Sequence, residues 1–194
     1  MLFPTYFLFL LASTTHSMYQ SNIKFTSMGL EYQPVNAVQL ISTTTAQTRL
    51  RCSIACNQLT SCRILDYDSA SQRCRLFEGD LNTGSIISSS SSTSVVGTVR
   101  VQSTLYSSIH DQSCQSCQQD RYEVCSMNTT TCQCPPHTYW NGSVCALQLF
   151  QNDPCSQSNM CRLDLNLNCG SYCVGYSPQC LPSVPYIYSR YTSS

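Results

Sequence analysis

Read from the N-terminus, the apolar positions of this chain first cluster, then alternate, then thin out. Leu2 to Ala12 is an almost unbroken apolar run, LFPTYFLFLLA, and the chain turns polar at Ser13. Short apolar groups follow, IKF and AVQLI, set apart by Gly29 and Pro34, which predicts strands joined by turns. In STTTAQTRLRCSIACNQL the period lengthens to that of a helix of about three turns. Leu50, Ile54 and Ala55 with Cys52 and Cys56 make its inward stripe, opposite Arg49, Arg51, Asn57 and Gln58. Thr44 and Gln47 stand ahead of it in the capping-box relation. CRILDYD and CRLFEGD then alternate with period two around the turn Asp68-Ser69-Ala70-Ser71, as paired strands do. The run Ser88 to Ser92 has nothing to bury and predicts a flexible loop, and VVGTVRV predicts a closing strand. One helix held against an antiparallel sheet, an α+β architecture, is the fold class implied.

Charge narrows the partners. Only 10% of the 194 residues are charged and the formal net charge is zero, so long-range fields are weak and a nucleic-acid partner is not expected. Cysteine narrows the compartment. Fifteen cysteines would be a liability as free thiols, and bridges persist only where the surroundings are oxidising. The leading apolar run, with Thr15-His16-Ser17 placing small residues at −3 and −1 of a cut before Met18, reads as a secretory signal peptide over residues 1–17. No later run approaches the roughly 20 apolar residues that span a bilayer, so no transmembrane anchor is expected and the mature protein is expected to be secreted and extracellular.

From Asp111 the apolar pattern dissolves. Cys114, Cys117, Cys125, Cys132, Cys134 and Cys145 crowd a stretch with Pro135-Pro136 and Asn141-Gly142, too small to fold without staples. Cys155, Cys161, Cys169, Cys173 and Cys180 come next, then a tail, SVPYIYSRYTSS, with little to hold it. An odd total leaves at least one cysteine unpaired within the chain or paired with another molecule, and Cys180 is the candidate unpaired cysteine. CQSC and CQC have zinc-ligand spacing, yet an exported chain keeps such sulfurs oxidised, so no metal is expected. The only histidines are His16, His110 and His137, and neither G-x-S-x-G nor H-E-x-x-H occurs, so neither catalysis nor a cofactor is expected. Asn128 (NTT) and Asn141 (NGS) are glycosylation sequons. Arg49, Arg51, Arg63, Arg73 and Arg75 are half of the ten basic residues. If Arg49, Arg63, Arg73 and Arg75 shared a face, their guanidinium forks would suit a sulfated glycan or an acidic protein. Alternation onto solvated faces beside Asp66 and Asp68 is the plainer reading.

The pattern C-x3-C-x5-C-x-I-L-D-Y-D…C-R-L-F resembles the PAN/apple domain, in its four-cysteine PAN subtype, over residues 18–107. That resemblance implies bridges Cys52–Cys74 and Cys56–Cys62. The sequence lacks the outer bridge of full apple domains, both of whose cysteines are missing. CQCPPHTYWNGSVC resembles the second half of an EGF-like module over 108–146, which implies Cys114–Cys125, Cys117–Cys132 and Cys134–Cys145. DPCSQSNMCRLDLNLNC, within 147–194, resembles the start of a second EGF-like or EB-type module that stays incomplete, ending in the loose tail. Families built from such modules bind extracellular proteins or carbohydrates. The expectation is therefore a non-enzymatic secreted binding module. The alternatives are a matrix component cross-linked by an intermolecular disulfide and a protease-inhibitor-like secreted protein.

Overall fold

The structure, a computed structural model, describes residues 21–100, 102–118, 121–171 and 177–183. The expected signal peptide, His16, Cys173 and residues 184–194 of the tail lie outside them. The first unit contains β1 (Asn22–Phe25), β2 (Leu30–Pro34), β3 (Leu40–Thr45), α1 (Arg49–Gln58), β4 (Ile64–Asp68), β5 (Arg73–Phe77), β6 (Gly84–Ser88) and β7 (Ser94–Arg100). Five strands form one antiparallel sheet in the order β1-β7-β4-β5-β3, and β2 pairs with β6 in a separate ribbon.

Alternation along β4 and β5 decides which residues face which layer. Leu65, Tyr67, Cys74 and Leu76 turn to one side, where they pack with Cys52, Cys56 and Cys62. Ile64 and Phe77 turn to the other, where they pack with Tyr32 of β2 and Val96 of β7. The sheet is thus covered by α1 on one face and by the β2–β6 ribbon on the other. Full burial of each large aliphatic or aromatic side chain stabilises the fold by about 1.5–3 kcal/mol.

Four local expectations are corrected. The helix begins at Arg49, not after Thr44, which lies in β3; Thr48 is the N-cap, its hydroxyl accepting from the Arg51 N–H at 3.2 Å. The inward stripe is narrower than its apolar residues imply. Leu50 is 69% exposed and Ile54 37%, while Cys52 and Cys56 are the buried residues of the helix. Those two cysteines are bonded to Cys74 and Cys62, so sulfur anchors the helix where a leucine stripe would otherwise do so. The serine-rich stretch is not a free loop. Its start, GSIIS, is β6, the Ser89 N–H donates to the Gly29 carbonyl, and Ser91 and Thr93 hydroxyls donate to Asp68. β7 is also no closing strand: it lies between β1 and β4.

A second core is built around α2 (Ser103–Ile109), β8 (Val124–Ser126), β9 (Thr131–Gln133), β10 (Thr138–Trp140) and β11 (Cys145–Leu147). Its bridges are Cys114–Cys125, Cys117–Cys132 and Cys134–Cys145, and β8–β9 and β10–β11 are hairpins. Tyr106 and Ile109 of α2 are buried with Tyr122, Cys117, Cys132 and Cys145. The helix therefore straddles residue 107 and packs with the cysteine-rich stretch on its C-terminal side. A third core is built on β12 (Leu167–Gly170) and β13 (Gln179–Pro182). Here the expectation for Cys180 is overturned: it is bonded to Cys161, and Cys155 to Cys169. Cys169 and Cys180 face each other in the β12–β13 register, so the hairpin brings the last cysteine back onto the third core. Fourteen cysteines form seven bridges among the described residues; Cys173 lies outside them. The Cys155, Cys161 and Cys180 sulfurs lie within 4.8 Å of one another, but each is already bonded.

The three cores are tied by polar contacts. Arg121 donates to Asn57 Oδ1 at 3.2 Å, to the Leu59 carbonyl at 2.9 Å and to the Cys62 carbonyl. Arg63 donates back, to the Cys145 carbonyl at 2.6 Å. Glu78 of the first unit meets His137 of the second at 2.7 Å and Arg162 of the third.

Candidate binding surface

The four arginines of the expected anion patch are not brought together. Arg73 and Arg75 share one face of β5, but the same alternation places Asp68 and Asp66 directly opposite them on β4. Arg75 is ion-paired with Asp66 and, at 3.4 Å, with Glu31, and Arg73 with Glu31 at 3.5 Å. Asp66 is wholly buried and also accepts from the Tyr32 N–H and the Ser94 hydroxyl, each at 3.1 Å. Arg63, just before β4, is committed to the second core. Arg49, on α1, lies 4.6 Å over the Phe25 ring, a cation–π contact. A convergent guanidinium site is therefore corrected to three intramolecular ion pairs made by Arg73 and Arg75, one junction contact and one ring contact.

What the surface does offer is a groove of about 730 Å³ between α1 and the end of β3. The Cys52 and Cys56 bridges fix one side of the helix to the sheet. That leaves the side carrying Arg51, Ile54, Ala55 and Gln58 turned towards β3, since residues three, four and seven apart share a face. Thr44 and Gln47 form the opposite wall and Gln72 closes one end. Hydroxyl and amide groups set in an aliphatic lining, with one guanidinium, can hold a neutral or weakly acidic ligand through hydrogen bonds and apolar contact. A second cleft, of about 630 Å³, runs between the first and second cores beside Arg63, Leu81, Val99, Tyr139 and Asn141. Asn141 is exposed there, its Oδ1 accepting from the Ser143 and Val144 N–H groups. Asn128 is exposed on the β8–β9 turn.

The titratable groups with displaced equilibria hold structure. The Ser71 hydroxyl, then that of Thr93, hold the Asp68 carboxyl well below its usual range, against the opposing effect of burial; the Ser91 hydroxyl and the Ala70 N–H add to them. Its folded pKa thus lies below the ordinary 3.8, so its contribution is present above that pH and is lost as pH falls through the folded value. Asp68→Asn is expected to lower the melting temperature at pH 7, and the gap from the unsubstituted protein should close as the solution is acidified below pH 3.8. A gap that stays constant in an acid series of thermal melts would contradict this reading of the turn. Burial pushes Glu123 up, opposed by His110 at 3.0 Å, whose ring stacks on Trp140 at 3.8 Å. Hydrogen bonds from Arg162 hold Asp164 down. His110 and His137 each face a buried carboxylate, and among the described residues no serine, threonine or cysteine hydrogen-bonds either ring. Neither histidine belongs to a recognisable motif in the sequence. The only signal is their spacing from Glu123 and Glu78, which carries no information without the fold.

No helix among the described residues is long and apolar enough to cross a membrane. The chain matches no curated protein. Residues 30–102 match the family model described as the PAN domain, a family of generally non-catalytic modules that bind proteins or carbohydrates. That span runs from the first residue of β2 to the residue before α2. It takes in α1 with both its bridges and the walls of the groove, so the candidate surface lies within the matched span.

Proposed function

We propose that this is a secreted, non-enzymatic recognition protein whose PAN domain presents the groove between α1 and β3 to an extracellular protein or glycan. The observation that carries it is that groove: it is open, lined by aliphatic surface interspersed with hydroxyl and amide groups, and held by two disulfides. Side chains of this kind make directional hydrogen bonds to peptide or sugar groups, and the bridges reduce the entropy lost on binding. Residues 108–146 fit an EGF-like module, supported by the three bridges and two hairpins there. Residues 147–194 fit a partial one of EGF or EB type. Export would remove residues 1–17 and glycosylate the exposed Asn128 and Asn141. A covalent link to another molecule, if made, would run through Cys173.

The test is to probe glycan and extracellular-protein arrays with the product secreted from eukaryotic cells, after intact-mass analysis. The expected product begins at Met18, carries glycan at Asn128 and Asn141, and is retained by at least one array class. Retention should fall when Gln47 and Gln58 are both replaced by Ala. A product retained inside the cell, or blank arrays, would remove this reading.

A further inference from the structure

The groove has a second property, which lies in its backbone. β3 is an outer strand, paired with β5 alone. The Ala46 N–H donates to the Gln72 carbonyl at 2.8 Å, and bonded and non-bonded pairs alternate along an antiparallel ladder. Thr44 and Ser42, opposite Cys74 and Leu76, therefore bond to β5, while Thr43 and Thr45, opposite Arg75 and Arg73, turn their N–H and C=O groups outward. Among the described residues, no backbone hydrogen bond from outside the ladder reaches Ser42 to Thr45. Exposed edges are ordinarily blunted by lysine, proline, inward charge or a covering segment. Leu40 to Thr45, LISTTT, has neither charge nor proline, and its one irregularity lies at the far end, between Leu40 and Ser42.

We infer that β3 is an acceptor edge for an extended segment of a partner polypeptide, added as a sixth strand under the Arg51–Gln58 side of α1. The inference rests on the binding-module reading and specifies its ligand. In such a strand every second side chain would enter the groove and meet Ile54, Ala55 and Arg51. Arg51 is exposed, and no carboxylate among the described residues lies within 4.0 Å of it. Charge complementarity thus asks for an Asp or Glu at one inward position of the partner. A second copy of this chain does not supply it: a β3–β3 pairing would bring only threonine, serine and aliphatic side chains to Arg51.

The probe is a displayed library of random 12-residue peptides, selected on the full-length secreted protein. Recovered peptides are expected to alternate in polarity and to carry an Asp or Glu. They should bind Thr45→Pro, which deletes one outward N–H and no sheet hydrogen bond, and Arg51→Glu about tenfold or more weakly. Both variants should melt as the parent does. Because a proline variant can fail on folding grounds, the recovered peptide is also N-methylated at alternate residues; one methylation register should abolish binding to the unsubstituted protein and the other leave it intact. No enrichment, equal binding by both variants, or indifference to methylation register would overturn the edge site. So would a concentration-dependent dimer that Thr45→Pro dissolves. Array hits unchanged in both variants would sink this inference while leaving the binding-module reading in place, and blank arrays would sink the latter.

Discussion

Replacing Arg75 by alanine is expected to destabilise the protein by about 3–5 kcal/mol, the cost of leaving one member of a buried ion pair alone. Asp66 has no exposed surface and its carboxylate is met by Arg75, the Tyr32 N–H and the Ser94 hydroxyl. Without the guanidinium the two remaining donors cannot offset the desolvation of a full negative charge. The loss should therefore lie mainly in the orphaned carboxylate. Adding Asp66→Asn to Arg75→Ala should recover part of it, a non-additive pairing of the kind neighbours show. Urea denaturation of the two single variants and the double decides the matter. If Arg75→Ala unfolds at the parental urea concentration, the pair is not a buried one and this account of the sheet's outer face is wrong. The same contact explains why β2 keeps its place over the sheet, since Asp66 joins a strand of the ribbon to two strands beneath it.

Removing the Cys52–Cys74 bridge by replacing both cysteines with alanine should cost about 3 kcal/mol, and removing Cys56–Cys62 about 2 kcal/mol, from the entropy of closing loops of different length. The sequence separations are 22 and 6. The order matters more than the values. The longer loop ties the first half of α1 across the sheet to β5, whereas the shorter one only fastens the end of the helix to the segment before β4. Thermal melts without reductant, with amide exchange of α1 followed in parallel, test the ranking. Equal melting temperatures for the two double variants would show that loop closure does not govern the helix's attachment.

The parts of this structure that could be read from sequence are those set by neighbours in sequence. The alternation in ILDYD and RCRLF placed β4 and β5, and the turn between them needed only Asp68 and small polar residues. The helix was legible in outline, but its stripe was not. A leucine at 50 looks like a core residue until it is known that Cys52 and Cys56 already hold the helix down. The serine run misled for a related reason: a hydroxyl-rich loop reads as mobile unless a buried acceptor such as Asp68 is known to wait for it. The assignment of Cys180 failed because the count of five cysteines does not say which one is left over. The groove was invisible, since Thr44 and Gln58 become neighbours only when the helix folds back over the edge of the sheet. Most of the contacts between the first and second cores were beyond reach, because Arg121 and Arg63 bond chiefly to main-chain carbonyls, which every residue possesses and no motif can mark.

Those carbonyl contacts bear on how such a chain can be recombined. A module carried between genes must bring its own satisfied surface with it. Here the excised second piece would carry a guanidinium shaped to main-chain oxygens left behind on the first, and the first would lose the acceptor for Arg63. The third would part from Glu78 in the same way. Each piece is therefore completed by groups on its neighbours, and grafts that respect only cysteine spacing should be less stable than the parent.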